Sequence, residues 1–146
     1  MLKNLLYVSC EYDISQKNKK VMTNLIIDTA GEKIFLKIIS DNKEYINKHN
    51  NSRENFDELV KIIFSFLDKN NINLSDINNI FINQGPGKYT SIRSAISIAK
   101  ALKISKNVNI YGYDSAQIVN NNYDILPELL KEGRLTKNFI QPKYSK

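Results

Sequence analysis

Residues 80–103, read as IFINQGPGKYTSIRSAISIAKALK, decide the fold of this chain. The first four are an apolar run of the kind found in buried strands. Gly85, Pro86 and Gly87 end that run, because glycine allows a positive φ or a close backbone approach and proline fixes its own φ. A helical pattern then opens at Thr90, a candidate N-cap, and continues to Lys103. The stretch therefore predicts a buried strand, a rigid turn and a helix.

One face of this predicted helix is apolar and carries small residues at its centre. Ala95 and Ala99, four residues apart, would allow another helix to come unusually close. The apolar stripe consists of Ile92, Ala95, Ile96, Ile98, Ala99 and Leu102.

The glycines, Lys88 and the start of a helix also suggest a phosphate-binding loop. The spacing argues against that interpretation, since G-P-G-K-Y-T matches neither a Walker loop nor the G-x-G-x-x-G of a dinucleotide fold. Pro86 in addition lacks the amide that such a loop would use. A rigid turn between strand and helix is the interpretation that the residues favour.

The same stretch resembles a known family. Gly85, Pro86, Gly87, Thr90 and Arg93 match the G-P-G-S-F-T-G-L-R signature of the bacterial tRNA threonylcarbamoyladenosine biosynthesis proteins, the TsaB (YeaZ) family. The later A-K-G-L part of that signature is matched at Ala99, Lys100 and Leu102. Lys88 and Tyr89 replace serine and phenylalanine, and Ser91, Ala95 and Ala101 replace glycines.

The first half of the chain predicts strands at 25–28, 33–39 and 43–47, with Asp41-Asn42 as a turn. Three hairpin-linked strands followed by alternating helices and strands resemble the ribonuclease-H-like fold of the actin, sugar-kinase and Hsp70 superfamily. The resemblance implies a single α/β domain with a mixed five-stranded sheet and flanking helices. It also places Asp28, Thr29 and Gly31 at a vestigial phosphate loop. The residues alone favour an aspartate that bonds its own turn, in a turn built on Gly31.

Residues 55–69 predict a helix, capped by Ser52 or Asn55, whose apolar face is wider than one sheet can cover. The part of this apolar face that the sheet would leave uncovered lies mainly at Ile62 and Phe66. Either the chain's own second helix or a partner subunit would cover it, and the resemblance implies a partner. The expected partner interface is Ile62, Phe66, Ile92, Ala95, Ile96, Ala99 and Lys100.

Three segments are expected along the chain. Residues 1–21 would be an N-terminal extension or an over-called start, because the sequence from Met22 opens as family members open. Residues 22–120 would be the ribonuclease-H-like domain, with a short helix from Ser115 to about residue 119. Residues 121–146, with a helix at 126–132 closed by Gly133, would be a short remnant of a second subdomain. Its Pro142 and Tyr144 resemble the family's Pro-x-Tyr ending and imply a shortened form.

Composition limits the chemistry. The 146 residues contain one cysteine and one histidine, so neither a disulfide within the chain nor a paired-histidine metal site can form. His49 is predicted to be a solvated loop residue, and a metal site is not expected. The net charge of +6 permits a nucleic-acid partner. No stretch is long enough to span a membrane, and a cytoplasmic location is expected.

The resemblance implies a non-catalytic subunit that pairs with TsaD, activates it, and so supports transfer of a threonylcarbamoyl group to the adenosine next to the tRNA anticodon. It implies contact with TsaE, a homodimer when the partner is absent, and tRNA contact only through the complex. This chain would bind no cofactor tightly, while ATP and metal would lie on the partner subunits. Two alternatives stay open: a degenerate nucleotide-binding protein using Asp28, and a stand-alone basic RNA-binding module.

Overall fold

The computed structural model of the chain describes residues 21–144, which form a five-stranded mixed sheet in the order β3-β2-β1-β4-β5. β2 is antiparallel to both β1 and β3, whereas β4 and β5 run parallel to β1. The strands are β1 Thr23–Asp28, β2 Lys33–Ser40, β3 Lys43–Asn50, β4 Asn79–Asn83 and β5 Asn109–Tyr113. The arrangement is the mixed five-stranded sheet predicted from the sequence.

Helices flank the sheet on both faces, and short 3₁₀ turns connect several of the elements. The helices are α1 Arg53–Asp57, α2 Leu59–Lys69, α3 Tyr89–Lys106 and α4 Leu126–Lys131. The 3₁₀ turns are Leu74–Asp76, Ser115–Gln117 and Tyr123–Ile125.

The predicted helix over 55–69 is two helices. Glu58, with φ −103° and ψ 16°, leaves the helical region between α1 and α2. Ser52 is the N-cap of α1, since its hydroxyl accepts a 3.3 Å hydrogen bond from the amide of Asn55. One of the two predicted caps is therefore correct.

The start of α3 is one residue earlier than predicted, so Thr90 as N-cap is wrong. The N-cap position is Lys88, whose amide donates a 2.9 Å hydrogen bond to the carbonyl of Ala30. Because that bond holds Lys88 in an extended conformation, the helix begins at Tyr89 and Thr90 lies exposed in its first turn.

β3 is longer than predicted and includes His49, which is therefore not a loop residue. His49 pairs with Ile34 of β2 and is partly buried. The polar residues after Asn47 gave no strand signal, and pairing with the apolar β2 is what keeps them in the sheet. The turn at Asp41-Asn42 is confirmed, with Ser40 and Lys43 paired across it.

The sheet separates two apolar clusters. The larger one packs α2 and α3 against one sheet face and includes Leu25, Leu36, Ile63 and Ile80. The smaller one lies on the other face, where Phe81 and Tyr113 pack against the segment that contains α4. Folding thus buries both faces of β1, β4 and β5, as their continuous apolar runs predict.

The expectation of an uncovered stripe on α2 and α3 is contradicted by burial. Phe66 is 3% exposed, Ile96 3%, and Ile92, Ala95 and Ala99 are 0% exposed, because the larger cluster covers them within this one chain. Ile62 is partly buried against the same cluster. The apolar side chains that α2 does present to solvent are Val60, 49% exposed, and Phe64, 39% exposed.

The last part of the chain differs from the prediction in detail. The helix expected after Ser115 is a single 3₁₀ turn, Ser115–Gln117, and the helix expected at 126–132 ends at Lys131. Gly133 follows with φ +69°, the left-handed conformation predicted for a residue that ends a helix. The expected N-terminal extension lies outside the described residues, apart from Val21.

Candidate functional site

The carboxyl ends of the three parallel strands meet at one edge of the sheet, where open sheets of this kind place their sites. β1 ends at Asp28, β4 at Asn83 and β5 at Tyr113. The 3₁₀ turn at Tyr123–Ile125 adds Tyr123 from the far end of the sequence. These four side chains form a polar centre.

The Asp28 carboxylate accepts four hydrogen bonds from its own chain. Its Oδ1 accepts from the Ala30 amide and from Asn83 Nδ2, each at 3.0 Å. Its Oδ2 accepts from the hydroxyl of Tyr113 at 3.2 Å and from that of Tyr123 at 2.8 Å. The bond to Ala30 is the turn contact predicted from the residues alone, whereas nothing in the sequence indicated the two tyrosines.

Both tyrosines are held in their neutral form by this arrangement. Burial raises the pKa of Tyr113 well above its ordinary value, and the adjacent Asp28 charge raises it further. The pKa of Tyr123 is raised in the same way, first by burial and then by Asp28. Each hydroxyl therefore keeps its proton, and remains a donor to the carboxylate, to a higher pH than an ordinary tyrosine would.

Two backbone turns touch above this centre, and two glycines make the contact possible. A Cβ on Gly87 would lie 2.3 Å from the carbonyl oxygen of Ala30. Gly85 has φ +101°, a conformation that residues with a side chain rarely adopt. The rigid turn predicted at 85–87 is therefore correct, with positive φ at the first glycine and close approach at the second. Gly31 meets neither condition, because its φ is ordinary and a Cβ there would meet nothing within 4 Å.

Asn51 joins three parts of the site and was missed by sequence reasoning. Its Nδ2 donates to the carbonyls of Thr29 at 2.8 Å and Gly31 at 2.9 Å. Its Oδ1 accepts from the Ser91 hydroxyl at 2.9 Å. A single asparagine thus connects the end of β3, the loop after β1 and the first turn of α3, and nothing distinguishes it from the polar residues beside it in the sequence.

The C-terminal segment is held beside the 85–87 turn by a hydrogen bond and an ion pair. The amide of Lys143 donates to the carbonyl of Gln84 at 2.8 Å, and Lys143 Nζ lies 2.7 Å from Asp114 Oδ1. Tyr144 stacks on Tyr89 with ring centroids 4.8 Å apart. The hydrogen bond between their hydroxyls raises the pKa of Tyr144.

A cleft of about 630 Å³ opens beside Asp28. Its aromatic wall is Phe35 stacked on Tyr123, with ring centroids 4.4 Å apart. Lys37 is 6% exposed, and its Nζ forms ion pairs with Asp124 Oδ1 at 3.0 Å and with Glu44 Oε2 at 3.4 Å. The cleft therefore combines an aromatic wall with a lysine whose charge is already paired and a carboxylate whose oxygens already have donors.

The remaining predicted residues are not among the four side chains of this centre. Thr29 is 1% exposed, and its hydroxyl has no hydrogen-bond partner among the described residues. Arg93 and Lys100 are exposed on the outer side of α3, and Pro86 is exposed in the turn and borders the cleft. The structure thus brings Asp28, the 85–87 turn and the start of α3 together, with Ile92 of the expected interface packed beside Gly85.

Residues 21–144 contain no group of three or more histidine, cysteine, aspartate or glutamate side chains that could hold a metal ion. None of their helices is long and apolar enough to cross a bilayer.

Comparison with known proteins points to one family. The family model TsaD, tRNA N6-adenosine threonylcarbamoyltransferase, matches residues 39–129, which is more than half of the chain. A TsaB protein of Buchnera aphidicola from Schizaphis graminum is 30% identical over 95 residues, covering 65% of this chain and 45% of that protein. The threonylcarbamoyltransferase of Clostridioides difficile is 28% identical over 92 residues, covering 63% of this chain and 23% of that enzyme.

The solved structure of YeaZ from Pseudomonas aeruginosa superimposes with a TM-score of 0.62 at 20% identity, covering 77% of this chain and 50% of that one. This likeness confirms the predicted ribonuclease-H-like fold. The chain matches half or less of the length of these relatives.

Proposed function

The chain belongs to the TsaD family and, within it, to the TsaB (YeaZ) group, and from this we propose that it is a non-catalytic subunit in the formation of threonylcarbamoyladenosine in tRNA. Its task would be to bind TsaD and stabilise the active state of that subunit. ATP and metal would lie on the partners, with TsaE as a further contact, and tRNA would be bound through the assembled complex.

The observation that carries the proposal is the state of Asp28. In the superfamily that the fold resembles, this loop would bind phosphate or a metal. Here both carboxylate oxygens already accept hydrogen bonds from Ala30, Asn83, Tyr113 and Tyr123. A ligand at this loop would have to displace donors that the fold supplies, which costs more than binding to a free carboxylate. The geometry therefore favours a structural use of the loop over nucleotide chemistry.

The donor set of the chain does not fit the metal that the family's catalytic member implies. A paired-histidine site needs two imidazoles, and the sequence has one histidine, His49. His49 lies in β3, and β2 separates that strand from β1, which carries Asp28. No step of the reaction is therefore assigned to a metal on this chain.

The proposed contact with TsaD uses the outer surface of the helical layer. The residues first expected there are mostly covered by the chain's own core, so contact must use the exposed side chains of the same helices. Val60 and Phe64 lie four residues apart on one face of α2 and form an apolar strip. Lys100 and Arg93 lie exposed on α3. The apolar strip would form the centre of the contact and polar residues would surround it, as is usual for a subunit interface.

Reconstitution tests the function. The chain is added to purified TsaD, TsaE, the threonylcarbamoyl-adenylate synthase TsaC, ATP, threonine, bicarbonate and unmodified tRNA, and the modified adenosine is measured. We expect modification to depend on the chain and to fall at least about tenfold for Phe64→Asp, because a charge is then desolvated at the contact. Val119→Asp is the matched control, since Val119 is 65% exposed but lies after β5, away from α2. Modification that proceeds equally well without the chain would refute the proposal.

A further inference from the structure

An exposed pair of stacked tyrosines lies where the C-terminal segment meets the start of α3. The ring centroids of Tyr89 and Tyr144 are 4.8 Å apart, with 25° between the ring planes, and the two hydroxyls share a hydrogen bond of 2.9 Å. Tyr89 is 37% exposed and Tyr144 is 73% exposed. One face of the Tyr144 ring contacts Tyr89, and the other face is open. The pair therefore presents a flat aromatic surface to solvent.

A cation without a partner lies next to this pair. Arg93 follows Tyr89 by four residues, which places both side chains on one side of α3. Its charge lowers the pKa of Tyr144, against the larger and opposite effect of the hydrogen bond with Tyr89. Arg93 forms no ion pair with any described residue, and α3 itself contains no acidic residue. The charge of Arg93 is therefore available to an anion.

Two lysines extend this positive surface. Lys88 and Lys143 each directly precede one of the two tyrosines in the sequence. Lys88 pairs with Glu32 at 3.6 Å and Lys143 pairs with Asp114 at 2.7 Å, yet the two lysine side chains are 40% and 45% exposed. Ion pairs that are this exposed to water contribute little to stability. A phosphate group in solution would therefore compete with these carboxylates for the lysines.

A second cleft, of about 410 Å³, borders the first turn of α3. Its lining includes Arg53 and Phe56 of α1 and Thr90 of α3, and Asp57 is the one acidic residue in that lining. The start of α3 also has amides without an acceptor in the helix and the positive end of the helix dipole. The second cleft thus offers further positive charge and further donors beside the stacked tyrosines.

We propose that Tyr89, Arg93, Lys143 and Tyr144, with Lys88 and the second cleft beside them, form an aromatic–basic patch that binds unpaired nucleotides of an RNA strand. A base would stack on the open face of Tyr144, and neighbouring phosphates would lie against Arg93 and in the second cleft. Aromatic rings that stack bases, set among cations that hold the backbone, are the usual means of binding a single strand. An acidic protein segment would use the cations but would leave the open ring without a partner.

The aromatic–basic patch and the apolar strip of α2 belong to different elements. The patch lies at the start of α3 and on the C-terminal segment, whereas the strip consists of Val60 and Phe64. In the proposed function the strand would be an unpaired loop of the tRNA, and only this identification of the strand rests on that function. One stacked base and a few cations give weak binding, so we expect a dissociation constant on the order of 10–100 μM at low salt. Firm binding of tRNA would then need the assembled complex.

Fluorescence anisotropy of the full chain, without TsaD and at about 50 mM salt, tests the proposal with a labelled RNA strand of about 12 nucleotides. Tyr144→Ala should weaken binding at least about fivefold, because the stacking surface is lost. Tyr144→Phe keeps the ring and loses only the hydroxyl, so it should bind within about twofold of the original chain. The same strand annealed to its complement should bind at least about fivefold more weakly, although its charge is doubled, because its bases are paired.

A charge variant tests the contribution of Arg93. Arg93→Gln should weaken binding and reduce the slope of the logarithm of affinity against the logarithm of salt concentration by about 0.7, the value for one phosphate contact of a single strand. Lys131→Gln is the matched control, because Lys131 lies on α4, which packs on the other face of the sheet. It should change neither the affinity nor the slope. Circular dichroism checks that all variants are folded.

Three results would overturn the proposal. They are binding that Tyr144→Ala leaves unchanged, a duplex that binds as tightly as the single strand, and a labelled polyglutamate peptide of equal length that binds as tightly as the RNA. In each case the patch would recognise negative charge alone, as a site for an acidic protein segment would. Since TsaD is absent from this assay, RNA binding by the chain and the reconstituted tRNA modification can fail independently.

Discussion

Tyr123 donates a 2.8 Å hydrogen bond to Oδ2 of Asp28, a residue 95 positions earlier in the chain. Tyr113 donates to the same oxygen at 3.2 Å. This contact joins the end of the first strand to the segment that covers the far face of the sheet. In this chain, Asp28 at the start of the loop after β1 is thus hydrogen-bonded to the segment that contains Tyr123.

Removing the Tyr123 hydroxyl should destabilise the fold. Tyr123→Phe deletes a hydrogen bond to a charged group, and we expect a loss of about 1.5–3 kcal/mol in the free energy of unfolding. Urea unfolding followed by circular dichroism measures it. Tyr111→Phe is the control, because Tyr111 stacks on Phe81 on the same sheet face and loses the same atom. Equal losses in the free energy of unfolding of the two variants would show that the hydrogen bond to Asp28 contributes no more than the hydroxyl of Tyr111 does.

Stability should fall at alkaline pH because folding raises the pKa of Tyr113 and of Tyr123. Below the unfolded pKa of about 10 both states carry the protons, and the stabilisation is fully present. Above it the unfolded state releases protons that the folded state retains, so the free energy of unfolding decreases as pH rises. Urea titrations between about pH 8 and about pH 11 measure the slope, which Tyr123→Phe should reduce. A slope that the substitution leaves unchanged would contradict this assignment.

The two glycines near the site should respond differently to a methyl group. In Gly87→Ala the new Cβ would overlap the Ala30 carbonyl, so we expect a loss of about 1–3 kcal/mol or more. In Gly31→Ala the new Cβ meets open space, and we expect no loss beyond about 0.5 kcal/mol. Thermal and urea unfolding of both variants compare them. Similar destabilisation by both would refute the close approach of the two turns.

The two phenylalanines of α2 should separate core packing from surface contact. Phe66 is 3% exposed and Phe64 39% exposed. We expect Phe66→Ala to cost about 3–5 kcal/mol and Phe64→Ala less than about 1 kcal/mol. Binding to TsaD, measured by co-purification, should show the reverse order among variants that remain folded. A Phe64→Ala chain that binds TsaD normally would remove Phe64 from the proposed interface.

Asn51→Ala should increase local opening of the loop after β1 without creating a cavity in the core. It removes donors to the Thr29 and Gly31 carbonyls and an acceptor for Ser91, and we expect a loss of about 1–3 kcal/mol. Amide hydrogen exchange should increase in the loop and in the first turn of α3. Asn47→Ala, in the same polar stretch but within β3, is the control. Exchange that increases equally in the control would show that Asn51 has no such joining role.

The sequence by itself determined the order of the strands along the chain, the rigid turn at 85–87 and the family. Apolar runs, glycine and proline positions and capping residues act over a few neighbours, so their effect can be read locally. The same local signals placed Asp41-Asn42 and Gly133 correctly. They failed for His49, because a polar edge strand is held by pairing with its neighbour and not by its own residues.

Only the tertiary structure decided which side chains are covered and what Asp28 binds. The apolar width of α2 and α3 suggested an open face at Phe66 and Ala95, and the packing of both helices on one sheet closes it. Asp28 meets Tyr113 and Tyr123 because the chain returns to the same sheet edge after 85 and 95 residues. Such contacts depend on how distant segments meet in space, which local periodicity does not encode, and for that reason the polar centre could be found only in the folded molecule.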